Sequence, residues 1–166
     1  MPNKNTFMIP PVKSFVERHL EGCEVIVDPF ANESKYGTIT NDLNPAFDTT
    51  YHLDAREFLR KLDSGCADAV LYDPPYSITK AARLYRSYGV KRLERGVSNT
   101  GYWKDVKDEI ARVTKDGGRV LTFGWNTNGI GKGRGFRMEE VLIVAHGGSK
   151  NDTLCVMEVK EQQRLF

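Results

Sequence analysis

The chain has 166 residues, of which 40% are hydrophobic and 28% charged. That is the length of one ordinary domain with enough apolar content for a packed core, which excludes a wholly disordered chain. Lysine and arginine number 24 against 22 aspartates and glutamates, so total charge alone does not mark a nucleic-acid binder.

Met1 to Asn5 carries no apolar stretch of signal-peptide type. Pro10-Pro11 then opens a segment with Val12, Phe15, Val16 and Leu20 at helical spacing, proline being tolerated in a first turn. Glu24 to Asp28 is a run of β-branched residues ending in Asp-Pro and reads as a buried strand. Thr38 to Asp42 reads as a second strand, again ending on an acid. Asp54 is placed to cap a helix with Ala55, Phe58, Leu59 and Leu62 on one face. Ala67 to Tyr72 is the third strand, stopped by Asp73-Pro74-Pro75. Trp103, Val106, Ile110 and Val113 mark a further helix, with Gly117-Gly118 as its terminator. Arg119 to Phe123 is a strand, and so are Val141 to Ala145 and Leu154 to Val159. The short link from His146 to Thr153 predicts that the last two form an antiparallel hairpin.

Strands alternating with helices predict an α/β fold, a mostly parallel sheet with helices on both faces and an antiparallel hairpin at its end. There is no internal repeat, and no apolar run approaches the roughly 20 residues of a membrane span. Cys23, Cys66 and Cys155 are odd in number, far apart and without metal-ligand spacing. The expectations are free thiols in a reducing cytoplasm, no metal and no membrane. Ligands of such sheets bind at the carboxyl ends of the strands. Asp28, Asp42 and Asp73 sit at those ends, although a single acid there is also ordinary turn chemistry.

Asp73-Pro74-Pro75-Tyr76 directly after an apolar strand resembles the catalytic motif of the amino-directed nucleic-acid methyltransferases, chiefly the DNA adenine-N6 enzymes. The likeness runs through most of the chain. The segment Phe7, Ile9 and Pro10 resembles the family's early cofactor segment, and Asp28-Pro29-Phe30 resembles its first-strand motif. Asp42 stands where the family has an acid after the second strand, and Asp54-Ala55 where an acid and a small residue meet the cofactor's adenine. The family's glycines after Asp-Pro-Phe are absent, the sequence reading Ala31-Asn-Glu-Ser34.

The resemblance implies a Rossmann-like methyltransferase domain over residues 1–160 and S-adenosylmethionine as cofactor. Asp42 would take the ribose hydroxyls, Asp54 the adenine amine, and Asp28 would lie near the methionine end. It also implies an adenine-N6 activity for which Asp73, Pro74, Pro75 and Tyr76 are the catalytic set. An exocyclic amine is a poor nucleophile because its lone pair is delocalised into the ring. Two acceptors aimed at it, the Asp73 carboxylate and the Pro74 carbonyl, would localise that pair. Tyr76 offers an aromatic face for stacking, and a target within a duplex must flip out. Metal is not required, since the sulfonium is already an activated leaving group.

The charge is unevenly placed. Residues 77–101 hold Lys80, Arg83, Arg86, Lys91, Arg92 and Arg95 against Glu94 alone, a net +5 that leaves −3 for the remainder. With Tyr85 and Tyr88 interleaved, this segment suits a phosphate backbone, its alternative being a solvated helix face. Gly129 to Arg137, with Lys132 and Arg134, reads as a second nucleic-acid contact or as a plain flexible loop. Trp125, Asn126 and Asn128 precede it and are candidates for the base pocket. In the tail, residues 161–166, Gln162, Leu165 and Phe166 resemble the short peptide that docks bacterial proteins on the replication sliding clamp, the alternative being an ordinary chain end. The reading is therefore a DNA-binding, monomeric or weakly dimeric enzyme of small phage type, without a separate target-recognition domain. An RNA amine methyltransferase and a non-catalytic DNA-binding or clamp-associated module stay open.

Overall fold

The computed structural model describes residues 6–75, 100–148 and 151–162. The apolar runs become β1 (Ile26–Asp28), β2 (Ile39–Thr40), β3 (Ala67–Tyr72), β4 (Thr114–Gly124), β5 (Phe136–Val144) and β6 (Thr153–Lys160). They form a six-stranded sheet in the order β2-β1-β3-β4-β6-β5. The first four strands in that order are parallel, and β6 runs antiparallel to both β4 and β5. The expected mixed sheet with a terminal hairpin is the observed one.

Helix α1 (Pro10–Leu20) covers one face, and α2 (Ala55–Arg60) with α3 (Thr100–Val113) covers the other. Strand alternation divides the core between them. Val27, Val70 and Val120 point to the α2 and α3 side, whereas Ile26, Ala69, Leu71, Leu121 and Phe123 point to the α1 side. Helix α1 begins with prolines in its first turn and buries Val12, Phe15 and Val16. Each such burial stabilises by about 1.5–3 kcal/mol. Among the described residues no helix is long and apolar enough to cross a membrane.

The boundaries that differ most from expectation are two. Helix α3 ends at Val113 and β4 starts at the next residue, so Gly117-Gly118 lies inside β4 rather than ending the helix. Thr114 is already paired with Ala67, and the register shifts before Arg119 pairs with Ala69. Gly117, with φ of 77°, supplies the left-handed residue that this irregularity needs. Strand β5 begins at Phe136 rather than Val141, which takes the end of the glycine-rich segment into the sheet.

Candidate functional site

Strand β1 lies between β2 and β3, so the sheet order sets Asp28 between the chain segments that carry Asp42 and Asp73. Asp28 is fully buried. Its Oδ1 accepts the Phe30 amide at 3.2 Å, while its Oδ2 has no hydrogen-bond partner among the described residues. Burial, with Asp73 and Asp42 adding negative charge nearby, pushes the carboxyl up to about 8, against the lowering effect of the Phe30 amide and, more weakly, the Ser34 hydroxyl. Gly37 packs on this acid: a Cβ there would stand 2.9 Å from the Asp28 Cβ and 2.8 Å from Thr40 Cγ2.

Asp42 is half-buried, and each of its oxygens takes a backbone amide, Oδ1 from Asn44 at 2.8 Å and Oδ2 from Asn32 at 3.0 Å. Burial raises its pKa against the pull of those two amides. The second amide belongs to the Ala31–Ser34 loop, which contains no glycine. Asn32 adopts φ of 51°, the left-handed conformation that asparagine tolerates better than most residues. The tight turn is therefore made without glycine, closed by Ser34 N–H to Ala31 carbonyl at 2.7 Å.

Asp54 is buried and caps α2, its Oδ1 accepting from the Arg56 and Glu57 amides. Its Oδ2 accepts from the Tyr102 hydroxyl at 2.5 Å. Ala55, next to it, is buried in the start of α2. Phe7 is buried edge-on against Phe123 and Tyr36, Ile9 is half-buried at the start of α1, and Pro10 is exposed. Pro29 is buried and its carbonyl accepts from Asn41 Nδ2, while Phe30 leans on Tyr72 and Trp103.

Asp73, Pro74 and Pro75 leave β3 partly exposed. The two prolines line a cleft of about 290 Å³ together with Trp103, Lys107, Thr122 and Trp125. Asn126 borders the same cleft, whereas Asn128 borders a different one. Tyr76, the basic residues Lys80, Arg83, Arg86, Lys91, Arg92 and Arg95, and the tail residues Leu165 and Phe166 lie outside the described residues. Gln162 is exposed.

No protein-family model matches the sequence, and no curated protein does. Solved structures do. The 1,6-didemethyltoxoflavin-N1-methyltransferase of Burkholderia thailandensis, with bound 1,6-didemethyltoxoflavin and S-adenosylhomocysteine, matches at a TM-score of 0.62 and 11% identity over 92% of this chain and 77% of its own. The N-methyltransferase NodS of Bradyrhizobium japonicum matches at 0.60 and 9% identity over 96% and 99%. A SAM-dependent methyltransferase of Archaeoglobus fulgidus matches at 0.59 and 13% identity over 91% and 94%. The chain has the Rossmann-like fold of the SAM-dependent methyltransferases.

In this methyltransferase fold the segment after β4 is built rather than loose. Lys132 is exposed, but Arg134 donates to Asp108 Oδ1 at 2.6 Å and to the Ile130 carbonyl at 3.0 Å. Buried Glu158 closes the segment, its carboxylate accepting the Ile130 amide at 2.6 Å and the Gly131 amide at 3.0 Å. A sequence reading finds neither Glu158, which sits in an apolar run, nor Tyr102, Lys107 and Thr122, which have no motif around them. The four-residue spacing of Trp103 and Lys107 on α3 was the available signal, since it puts both on one helix face.

Proposed function

We propose that the protein transfers a methyl group from S-adenosylmethionine to the N6 amine of adenine in DNA. The observation that carries this reading is the place of Asp73-Pro74-Pro75. It leaves the carboxyl end of β3 beside the buried acid of β1, and its prolines border a cleft in a methyltransferase fold.

The residues at the neighbouring strand ends fit the cofactor. S-adenosylmethionine carries positive charge on its sulfonium and its ammonium. A buried Asp28 oxygen without a partner among the described residues, set near other acids, suits a cationic ligand that offsets its desolvation. When bound, the cofactor supplies a methyl group on a good leaving group. Asp73 accepts a hydrogen bond from one N6–H and the Pro74 carbonyl from the other, so the amine lone pair is turned away from the ring, and the proton that the amine loses on methylation passes to solvent. Tyr76 stacks on the base, which reaches the cleft by flipping at a cost of a few kcal/mol, offset in part by about 1–3 kcal/mol of stacking. The segment Lys80 to Arg95 and exposed Lys132 hold the phosphate backbone, which positions DNA without reading its sequence.

The test is transfer of labelled methyl to duplex DNA, single-stranded DNA and RNA, with cofactor binding measured in parallel. Transfer to adenine N6 of DNA is expected, and Asp73→Ala should abolish it while cofactor binding is retained. Full activity of that variant would falsify the catalytic assignment. Transfer to RNA alone favours an RNA enzyme, and absence of cofactor binding favours a non-catalytic module. The tail is proposed to dock on a bacterial sliding clamp through Gln162, Leu165 and Phe166. A peptide of residues 161–166 should bind the clamp and lose affinity on Leu165→Ala or Phe166→Ala; no binding by any form ends the idea.

A further inference from the structure

The cleft beside Pro74 and Pro75 has a wall that the chemistry above leaves unused. Lys107 of α3 lines it with Thr122 of β4. Thr122 is the register partner of Tyr72, the residue before Asp73. Its hydroxyl is buried and has no hydrogen-bond partner among the described residues, and the residue is only 8% exposed. The Lys107 ammonium donates to the Gly129 carbonyl at 2.5 Å, which uses one of its three N–H groups. Burial, and to a smaller degree Arg134, lower its pKa, with Glu158 opposing. The remaining walls include the indoles of Trp103 and Trp125. A partnerless buried hydroxyl and a half-buried cation with donors to spare, set among aromatic rings, match a flat heterocycle that carries ring acceptors.

We infer that Lys107 donates a hydrogen bond to a ring nitrogen of the accepting base, with Thr122 as a second contact to the same ring. This rests on the methyltransferase reading above and extends it from the reacting amine to the rest of the base. Asp73 and Pro74 can engage any amine; a donor aimed at the ring restricts the acceptor to bases with an unprotonated nitrogen in reach. A site built around such a bond discriminates against an analogue that lacks the atom, because its own buried group is then left unpaired.

The competing role for Lys107 is purely structural, holding Gly129 in place. Substrate analogues separate the two. DNA in which the target adenine is replaced by 1-deaza-, 3-deaza- or 7-deazaadenine is assayed by kcat/KM with the wild type, Lys107→Met and Lys107→Gln. The wild type should lose about ten- to a hundredfold on one analogue and little on the other two. Lys107→Met should be slowed by a similar factor on adenine and show no further loss on that analogue. Lys107→Gln keeps a neutral donor for Gly129 and for the ring, so it should fall between, and it preserves the comparison if the methionine variant does not fold. Equal wild-type rates on all three analogues overturn the inference. So do variants that slow every substrate alike while keeping the wild-type discrimination. A wild type inert on unmodified adenine DNA is a different result, the failure of the methyltransferase reading itself.

Discussion

Asn32 shows how a residue other than glycine can satisfy a left-handed backbone demand. Its φ of 51° is needed to bring its amide to Asp42. Asparagine accepts this conformation at modest strain, whereas alanine lacks the polar side chain that makes it tolerable. Asn32→Ala should therefore cost about 1 kcal/mol in urea unfolding, and Asn32→Gly should be close to neutral, its relief of strain set against a more flexible unfolded chain. A second residue-scale consequence concerns Asp28. Its carboxyl ordinarily ionises at 3.8, and in the fold at about 8. Between those values the folded protein keeps a proton that the unfolded chain has lost, so stability falls as pH rises from about 4 to about 8. Below that window both states are protonated and the group contributes nothing. The raised pKa of Asp42 acts with the same sign. Asp28→Asn should flatten the decline, and denaturant midpoints of the ligand-free protein between pH 5 and 8 would show it. An unchanged slope would mean that the carboxyl is ionised in the fold.

At the scale of elements, the junctions carry the information that periodicity lacks. Leu154 to Val159 reads as an apolar run, and an acid within it would ordinarily face water. Glu158 is instead 2% exposed, because the chain after β4 doubles back and aims two backbone amides at it. Gly129 completes the arrangement: its φ is 50°, and any Cβ there would run into the Glu158 carboxylate. Glu158→Gln keeps the volume but replaces one acceptor with a donor facing an N–H. It should cost about 1–3 kcal/mol in chemical denaturation. Because Gly129 also borders the cleft, under the proposed function the substitution should raise KM for nucleic acid as well. The α3–β4 boundary carries a related lesson. A glycine pair after a helical period is a sound sign of a left-handed residue, and Gly117 has one. The helix nevertheless stops earlier, because pairing of Thr114 with Ala67 takes the chain into the sheet.

At the scale of the molecule, a +5 segment is attached to a chain that is otherwise −3. Under the proposed function this separates two ligands: acids gather at the strand ends, suited to a cationic cofactor, while the basic residues follow Asp73-Pro74-Pro75-Tyr76, suited to phosphate. On that proposal DNA affinity should fall steeply with salt. Replacing Lys80, Arg83 and Arg86 with alanine should reduce the slope of log K against log salt by about 0.9 for each phosphate that is no longer neutralised. A slope unchanged in the triple variant, measured by anisotropy across a salt series, would remove this segment from the interface.

The amino-acid sequence by itself determined the element order, the α/β class, the terminal hairpin and the acids at the strand ends. These follow from local periodicity and from turn residues next in sequence, which need no partner to be read. It also determined that Asp54 caps a helix, since a cap bonds amides only two and three residues ahead. Tertiary structure alone decided that Tyr102 takes the other oxygen of that cap, that Asp28 is buried without a partner for Oδ2, and that Glu158 closes the chain after β4. It alone brought Lys107 and Thr122 to the cleft of Pro74 and Pro75. Where groups meet they come from separate stretches of the chain, and burial and pairing alike depend on what the sheet order sets side by side, a quantity that no local pattern encodes.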